Sequence, residues 1–415
     1  MDALARSRIA DPELADLGEQ RIAWVARHSP VLNRLARERL ADGALRGKRV
    51  AVVLHLEAKT AYLASVLADA GAQVVAAGSN PGSTQDAVCA ALVRRGIEVH
   101  AVHDAPPDEF DRDLLDVAAT RPEIVVDDGA ELTRRMLEHD PEGFAGLQGV
   151  AEETTTGVRR LRAIEAAGKL AFPAILSNDA WSKHLYDNRY GTGQTAIAAI
   201  LRLTNLSGAG KNVCVIGYGW VGKGVARYAE GAGARVTVVE VDPVPALEAH
   251  MDGHRVLPAG DALPDADVVI TATGIVESLR QFELLRDGVV LANAGHHDRE
   301  IDVPRLEELA GAGEEVRPGV TRYTLPDGRR IHVLVAGHLV NIAGADGHPV
   351  EIMDLSFSVQ ALAAHLLARG TLEPGLHRLP AALDREIART KLATLGVELD
   401  DLTETQKEFV NQWTV

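Results

Sequence analysis

Side chains with acid–base character stand where short apolar runs of the sequence end. His55 follows RVAVVL, Asp128 follows EIVVD, and His296 lies in NAGHH after the run GVVLA. Lys183 and Asp187 lie four residues apart in WSKHLYDNRYG. Histidine has an unperturbed pKa of ~6.5 and exchanges protons in both directions near neutral pH. A lysine serves as a base only when its pKa falls, which burial favours. These residue types therefore suit proton transfer.

Each of these residues also has an ordinary structural explanation when it is taken singly. His55 could be a hydrogen-bonded core histidine, and Asp128 could form a turn. Lys183 and Asp187 could be a surface ion pair on a helix. Their joint occurrence after predicted strands favours a site, because clefts form at the carboxyl ends of strands in α/β proteins.

A second pattern is typical of dinucleotide binding. The stretch Gly217-Tyr218-Gly219-Trp220-Val221-Gly222 follows the apolar run NVCVI and precedes a predicted helix. Its glycines permit a tight turn, a close approach of the backbone to a pyrophosphate, and close packing of helix on strand. Glu240 ends the next predicted strand, where a carboxylate holds ribose hydroxyls and repels a 2′-phosphate. This favours NAD over NADP.

Two further strand ends in the same half of the chain, TATG and NAGHH, are expected to flank the far half of the dinucleotide, because ligands bind at carboxyl edges of open sheets. The residues assigned there are Thr271, Thr273, Gly274, Ala294, Gly295 and His296.

The elements that must position these residues alternate along the chain. From residue 48, runs rich in β-branched residues are separated by segments of helix length, and the series restarts after residue 203. This alternation predicts parallel sheets. From about residue 354 the sequence shows helical segments and a proline-rich crossing but no strand, so it must pack on an earlier unit. We expect an α/β fold with two doubly wound, Rossmann-like domains.

Composition excludes several classes of function. The 415 residues suggest two domains. A net charge of −16 without a stripe of Lys and Arg excludes nucleic acid as a partner. No uncharged apolar run reaches the roughly 18 residues of a membrane helix, and the N-terminus shows no secretory signal, so the cytoplasm is expected. Cys89 and Cys214 lack metal-ligand spacing and are expected to be buried free thiols, and no metal site is expected.

Several longer motifs occur in a specific order, namely HLEAKTA, GSNPGSTQD, DDGAELT, EETTTGV, SNDAWSKHLYDNRYG, GYGWVGKG, VEVDP, GHHDREID, GHLVN and DGHP. Through them the sequence resembles the S-adenosyl-L-homocysteine hydrolase family over essentially its whole length, and in HLEAKTA, YGTGQ and DGHP it resembles the shorter archaeal and thermophile-type branch. The resemblance implies a cytoplasmic homotetramer. It also implies a catalytic domain of residues 1–188 and 347–415, split around an NAD-binding domain of residues 189–346.

The resemblance implies a reaction on a nucleoside thioether of homocysteine. The family oxidises the ribose 3′-hydroxyl with NAD, eliminates the 5′ thiol, adds water and reduces the ketone again. A 3′-ketone acidifies the C4′ hydrogen, so a weak base can remove it. By matching positions, the 3′-hydroxyl is handled by Lys183, Asp187, Glu153 and Asn188. The C4′ proton and the group at C5′ are handled by His55, Asp128 and His296.

The resemblance also assigns binding residues. The nicotinamide half of NAD is expected to contact Thr154, Thr155, Thr156, Asn188 and Asn341. The substrate is expected to contact Glu57, Lys59, Thr60, Asn188, Asp346 and His348. Departures from the common pattern are Glu57 and Lys59, where Thr and Gln or Glu are usual, and Asp346, where Met is usual. These groups suit hypoxanthine better than adenine, unless they only pair with each other.

Two more departures concern the cofactor. Thr192 stands where longer relatives carry a cysteine, and the sequence ends at NQWTV without the tail that reaches a neighbouring subunit's NAD. Weaker or different cofactor retention is therefore expected. Two alternatives stay open: a dehydratase of nucleoside biosynthesis that uses the same redox cycle, and a non-catalytic NAD-binding regulator. The regulator is disfavoured because Lys183, Asp187 and the histidines are all present.

Overall fold

Two sheets drawn from separate parts of the chain form the scaffold of the computed structural model, which describes residues 3–139, 144 and 146–412. The first sheet has the spatial order β15-β6-β5-β4-β1-β2-β3, and every pair in it is parallel. Its strands are β1 (Arg49–Leu54), β2 (Gln73–Gly78), β3 (Glu98–His100), β4 (Ile124–Asp127), β5 (Gly149–Glu152), β6 (Pro173–Ile175) and β15 (Gly375–His377).

The second sheet has the order β12-β13-β14-β11-β10-β7-β8-β9. It is parallel from β14 to β9, but β12, β13 and β14 pair antiparallel at one edge. The prediction of purely parallel sheets is therefore incomplete. Its strands are β7 (Asn212–Ile216), β8 (Arg235–Val239), β9 (Arg255–Val256), β10 (Val268–Thr271), β11 (Val289–Asn293), β12 (Glu314–Arg317), β13 (Val320–Thr324) and β14 (Arg330–Leu334).

Helices cover both faces of each sheet, which explains why the central strands read as continuous apolar runs. The doubly wound α/β prediction is confirmed. The helices are α1 (Ala3–Arg6), α2 (Ala15–Arg27), α3 (Pro30–Glu38), α4 (Ala58–Asp69), α5 (Asp86–Arg94), α6 (Pro107–Ala119), α7 (Glu131–His139), α8 (Thr155–Ala166), α9 (Trp181–Lys183), α10 (Thr192–Thr204), α11 (Trp220–Gly231), α12 (Pro243–Met251), α13 (Ala259–Ala262), α14 (Val303–Ala310), α15 (Val340–Ala343), α16 (Val350–Ala368), α17 (Ala381–Thr394) and α18 (Glu404–Asn411).

The C-terminal part of the chain returns to the first sheet. The expectation that it holds no strand is wrong, because β15 pairs with β6 in the register Gly375↔Pro173. Three residues flanked by prolines are too few to show a strand period. The long helix α16 would suit a membrane by length and composition, but 78% of its apolar window is buried in the protein. It serves as a core helix of the first domain, which is thus discontinuous as predicted.

Helices α10 and α11 meet at glycines that admit no side chain. A Cβ on Gly224 would lie 1.8 Å from the carbonyl oxygen of Arg189, and a Cβ on Gly193 would lie 2.5 Å from the carbonyl carbon of Gly224. Arg189 belongs to a π-helical segment, His184–Gly191, that joins α9 to α10. Close backbone packing therefore holds this segment in place.

We expect Gly224→Ala to destabilise the protein by about 1–3 kcal/mol, the usual cost of overpacking. Gly231→Ala in the same helix is the matched control, because a Cβ there meets nothing within 4 Å. It is expected to be neutral or to stabilise by up to ~1 kcal/mol. Denaturant unfolding measures both variants, and equal stabilities would contradict the proposed packing.

Candidate active site

A cavity of about 430 Å³ lies where the carboxyl ends of the two sheets face each other. Both sets of predicted site residues line it, from the first domain and from the dinucleotide turn. The predicted residues in its wall are His55, Glu57, Lys59, Thr60, Asp128, Glu153, Thr154, Thr155, Thr156, Lys183, Asp187, Asn188, Gly219, Trp220, Val221, Thr273, Gly274, Ala294, Gly295, His296, Asp346 and His348.

Other predicted residues do not line the cavity but determine the shape of its wall. Gly217 has a φ of 95°, and a Cβ there would be 2.8 Å from the carbonyl oxygen of Ala272. A Cβ on Gly222 would be 2.0 Å from the carbonyl oxygen of Gly217. Thr271 is buried and donates a hydrogen bond of 3.0 Å to Asn293. These three residues fix the turn and the strand ends and do not face the cavity.

Glu240 directly follows β8 and is held by backbone donors. Its carboxylate accepts hydrogen bonds from the N–H groups of Tyr218 at 2.7 Å, Val241 at 2.7 Å and Asp242 at 3.0 Å. The last predicted residue, Asn341, is fully buried and donates from Nδ2 to Thr195 at 3.1 Å. Its Oδ1 has no hydrogen-bond partner.

Lys183 is the centre of a first buried polar cluster. Its Nζ donates to Asn188 Oδ1 at 2.7 Å and lies 3.2 Å from Asp187 Oδ2 and 3.4 Å from Glu153 Oε1. The π-helical segment His184–Gly191 explains how two successive residues reach it. Because its hydrogen bonds run from i to i+5, residues four and five positions after Lys183 face the same side.

The charges in this cluster decide the protonation states. Burial lowers the pKa of Lys183, but Asp187 and Glu153 outweigh it and raise that pKa above its ordinary value. Burial raises the pKa of Glu153 to about 7, although Lys183 opposes the shift. The expectation that the pKa of Lys183 falls is therefore wrong for the protein's own groups. Glu153 is therefore the group of this cluster that exchanges a proton near neutral pH.

Asp187 connects the first cluster to the C-terminal part of the chain. Its Oδ2 accepts a hydrogen bond of 2.7 Å from Ser356 on α16, and its Oδ1 lies 3.2 Å from Nδ1 of His348. The other ring nitrogen of His348 is 2.9 Å from the hydroxyl of Thr192. Burial opposes the charge of Asp187, but Lys183 and His348 outweigh it and hold its pKa below the ordinary value.

His55, Asp128 and His296 form a second cluster in the cavity wall. His55 Nε2 is 3.5 Å from Asp128 Oδ2, and the rings of His55 and His296 lie edge to face with centroids 6.2 Å apart. Burial lowers the pKa of His55 despite the charge of Asp128. Burial opposes the charge of Asp128, but His296 and His55 outweigh it and keep its pKa low. A neutral imidazole thus faces a carboxylate.

Each of the two strand ends β4 and β5 carries a pair of carboxyl groups with different roles. Asp127 and Glu152 are fully buried and accept backbone hydrogen bonds from the loop before α7 and its first turn. The next residues, Asp128 and Glu153, line the cavity. Sequence reasoning missed the anchoring residue of each pair, although the doublets DD and EE were visible. It also missed Gln360 on α16, which donates to Glu153 Oε2.

Lys59, Glu57 and Asp346 stand together at one end of the cavity. Lys59 Nζ is 2.9 Å from Glu57 Oε2 and donates to the backbone oxygen of Asp346 at 3.0 Å. The ion pair between Lys59 and Glu57, which the sequence left open, is therefore present. Asp346 contributes its backbone oxygen and not its carboxylate to the hydrogen bond with Lys59. All three residues still line the cavity.

The two thiols do not line the cavity. Cys89 and Cys214 are buried and free, as predicted, and burial raises the pKa of Cys214 to about 12. Within residues 3–139, 144 and 146–412, no cluster of three or more His, Cys, Asp or Glu side chains is arranged to hold a metal ion.

Comparisons with known proteins agree with the site. A family model described as "S-adenosyl-L-homocysteine hydrolase, NAD binding domain" matches residues 188–347, and one described as "S-adenosyl-L-homocysteine hydrolase" matches residues 6–145. An adenosylhomocysteinase of Thermococcus kodakarensis is 48% identical over 100% of this chain and 99% of its own length. The chain belongs to the S-adenosyl-L-homocysteine hydrolase family.

Relatives within the S-adenosyl-L-homocysteine hydrolase family carry two different names. An adenosylhomocysteinase of Thermotoga maritima is 50% identical over 95% of this chain and 99% of its own length. An S-inosyl-L-homocysteine hydrolase of Methanopyrus kandleri is 46% identical over 98% of this chain and 97% of its own length. Both kinds of relative are thus similar to nearly the whole chain, and identity does not separate them.

The NAD-binding domain of this S-adenosyl-L-homocysteine hydrolase family member fits its cofactor. A Cβ on Gly219 would meet nothing within 4 Å, so the backbone there is open to a pyrophosphate. Glu240 follows β8 at the position that holds ribose hydroxyls. Asn341 Oδ1 is buried without a partner and can accept a hydrogen bond from a carboxamide. The family model of the NAD-binding domain shows that the cofactor is NAD, and these features fit it.

Proposed function

We propose that the protein is an NAD-dependent hydrolase that reversibly cleaves S-adenosyl-L-homocysteine or S-inosyl-L-homocysteine to the nucleoside and homocysteine. One observation carries the proposal. Two proton-transfer clusters, around Lys183 and around His55, face one cavity that the dinucleotide turn also borders. A simple dehydrogenase needs one such cluster, whereas oxidation followed by elimination needs two.

The cluster around Lys183 is proposed to handle the ribose 3′-hydroxyl. NAD, when bound, supplies reversible hydride acceptance, which converts the 3′-carbon to a ketone and back. Lys183, Glu153 and Asp187 act as one unit that takes the hydroxyl proton, because the pKa of Glu153 of about 7 allows exchange near neutral pH. Asn188 holds Lys183 at 2.7 Å and orients its ammonium group.

The cluster around His55 is proposed to handle the C4′ proton and the group at C5′. His55 is neutral because burial lowers its pKa, so its free ring nitrogen can accept a proton. Asp128 keeps its negative charge and stabilises the imidazolium that forms. His296 approaches the same point from the second domain and offers a second exchangeable proton for the leaving thiol or the entering water.

The remaining predicted contacts complete the proposal. Thr154, Thr155 and Thr156 line the cavity after β5 and are proposed to reach the nicotinamide half of NAD. Lys59, paired with Glu57, is proposed to contact the nucleobase, where an ammonium donor suits the O6 acceptor of hypoxanthine. We further propose a cytoplasmic homotetramer and domain limits at 188/189 and 346/347, in line with the family resemblance.

The test is incubation of the purified protein with the homocysteine thioethers of adenosine and of inosine, followed by thiol quantification. We expect thiol release from at least one thioether by the NAD-loaded protein. A matched incubation with the free nucleosides detects loss of water without thiol chemistry. No thiol release from either thioether by the NAD-loaded protein would contradict the proposed function.

A further inference from the structure

The loop after β2 contacts the catalytic histidine of the second cluster. Strands β1 and β2 pair in register up to Leu54↔Gly78, so the residues that follow them stand side by side. His55 follows β1, and Ser83 closes a short 3₁₀ turn, Pro81–Ser83, in the loop after β2. The distance from His55 Nδ1 to Ser83 Oγ is 2.6 Å.

The direction of this hydrogen bond follows from the other bond of the serine. Ser83 Oγ lies 2.8 Å from the backbone oxygen of Asn80, and a carbonyl oxygen can only accept. The single hydroxyl proton of Ser83 is therefore directed to Asn80. With that proton directed to Asn80, the same oxygen acts as an acceptor toward His55, which places the ring proton on His55 Nδ1.

The turn that holds Ser83 is itself fixed. Asn80 Oδ1 accepts a hydrogen bond of 2.9 Å from the N–H of Gly82, which caps the turn. The His55 backbone is held as well, because its carbonyl oxygen accepts from Thr60 Oγ1 at 2.6 Å and from the N–H of Glu57 at 2.9 Å. The backbone that carries each of the two side chains is therefore held in place.

We propose that Ser83 is a positioning residue that fixes the proton of the neutral His55 ring on Nδ1, so that Nε2, which lies 3.5 Å from Asp128 Oδ2, accepts a proton in the cavity. In a neutral imidazole only one nitrogen carries a proton, and the hydrogen bond at one nitrogen sets the state of the other. The effect of this His55 tautomer on catalysis rests on the proposed function, in which His55 takes the C4′ proton.

The tautomer is measured directly on the NAD-containing protein with ¹⁵N-labelled histidine. Long-range ¹H–¹⁵N correlation spectra distinguish a protonated ring nitrogen from an unprotonated one, and the His55 signals are assigned by their absence in His55→Gln. At a pH where His55 is neutral, we expect Nδ1 protonated and Nε2 unprotonated. We expect Ser83→Ala to move the proton partly to Nε2 and Ser83→Thr, which keeps the hydroxyl, to restore the original state.

Kinetics give the second measurement. Ser83→Ala is expected to lower thiol release by about 10- to 100-fold, part of the ~10²–10⁴ that general acid–base catalysis contributes. Reduction of bound NAD by nucleoside, which depends on the Lys183 cluster, is expected to stay near the wild-type rate. Thr120→Ala is the matched control, because its hydroxyl makes the same kind of bond to a carbonyl three residues back, outside the cavity.

Two outcomes overturn the inference. One is a spectrum of the wild-type protein that shows the His55 proton on Nε2, a measurement that does not depend on the folding of any variant. The other is a His55 tautomer in Ser83→Ala that equals the wild-type one. If the wild-type protein releases no thiol, the proposed function fails, while the nitrogen spectra still decide the role of Ser83.

Discussion

Lys183→Met is expected to lower thiol release by about 10³-fold, within the ~10²–10⁴ range of general acid–base catalysis. The substitution removes the one cation that lies within 3.4 Å of both Glu153 and Asp187. Both carboxyl groups then take up protons more readily, because Lys183 is the main charge that opposes their desolvation. The cluster loses its means of receiving the 3′-hydroxyl proton, so reduction of bound NAD by nucleoside should fail as well.

Loss of activity must be separated from loss of folding. Removal of one partner of a buried ion pair costs about 3–5 kcal/mol, so Lys183→Met should unfold at clearly lower denaturant. Lys183→Arg keeps the charge and most of that stability, but its planar guanidinium cannot replace the ammonium at 2.7 Å from Asn188. We expect it to be folded and inactive. Thiol release by Lys183→Met within tenfold of wild type would contradict the role of this cluster.

Glu153→Gln is expected to change how folding stability depends on pH. The pKa of Glu153 is about 7 in the folded protein, against 4.5 for an ordinary glutamate. Between these values the folded state binds more protons than the unfolded chain, so stability falls as pH rises through this window. The shift corresponds to about 3 kcal/mol. As the pH rises from 5 to 8, the free energy of unfolding of the variant should therefore increase relative to that of the wild type by an amount of this order.

The same group should affect activity in the opposite direction. Wild-type thiol release is expected to rise with pH through about 7, because the ionised carboxylate of Glu153 is needed to receive a proton. Glu153→Gln should lose this rise of thiol release with pH and most of the activity itself. Denaturant unfolding and thiol release across the pH range measure both effects. A variant that keeps the wild-type slope of stability against pH shows that Glu153 is not the titrating group.

The sequence predicted the parts of the fold that repeat a regular pattern. The central strands of both sheets were predicted because strands buried on both faces read as unbroken apolar runs. The glycine turn and the position of Glu240 followed from the same logic. The short strands β6, β9 and β15 were missed, because two or three residues show no periodicity. The antiparallel edge was signalled only by the turn residues Pro326 to Gly328 between β13 and β14.

The site was predicted as a set of residues but not as a set of contacts. The grouping of His55 with Asp128 followed from the family resemblance, and their position after predicted strands agreed with it. The stretch EETTTGV, in contrast, shows neither helical nor alternating periodicity, although Glu152 ends β5 and Thr155 begins α8. The partners Ser83 and Gln360 come from a loop and a distant helix, and only tertiary packing brings them to His55 and Glu153. Ser83 lies in the motif GSNPGSTQD, but the motif does not show which residue Ser83 contacts, and Gln360 lies outside the quoted motifs.

The chain crosses between its two domains twice, and the contacts of His348 bridge both crossings. Thr192 begins α10 on the outward path, and His348 precedes α16 on the return path. Their 2.9 Å contact, together with the 3.2 Å approach of His348 to Asp187, ties both paths to the first polar cluster. Under the proposed domain limits, Thr192 belongs to the NAD-binding domain, whereas His348, Asp187 and Lys183 belong to the catalytic domain. A rotation that widens the cleft would therefore stretch the contact between Thr192 and His348 and leave Asp187 beside Lys183.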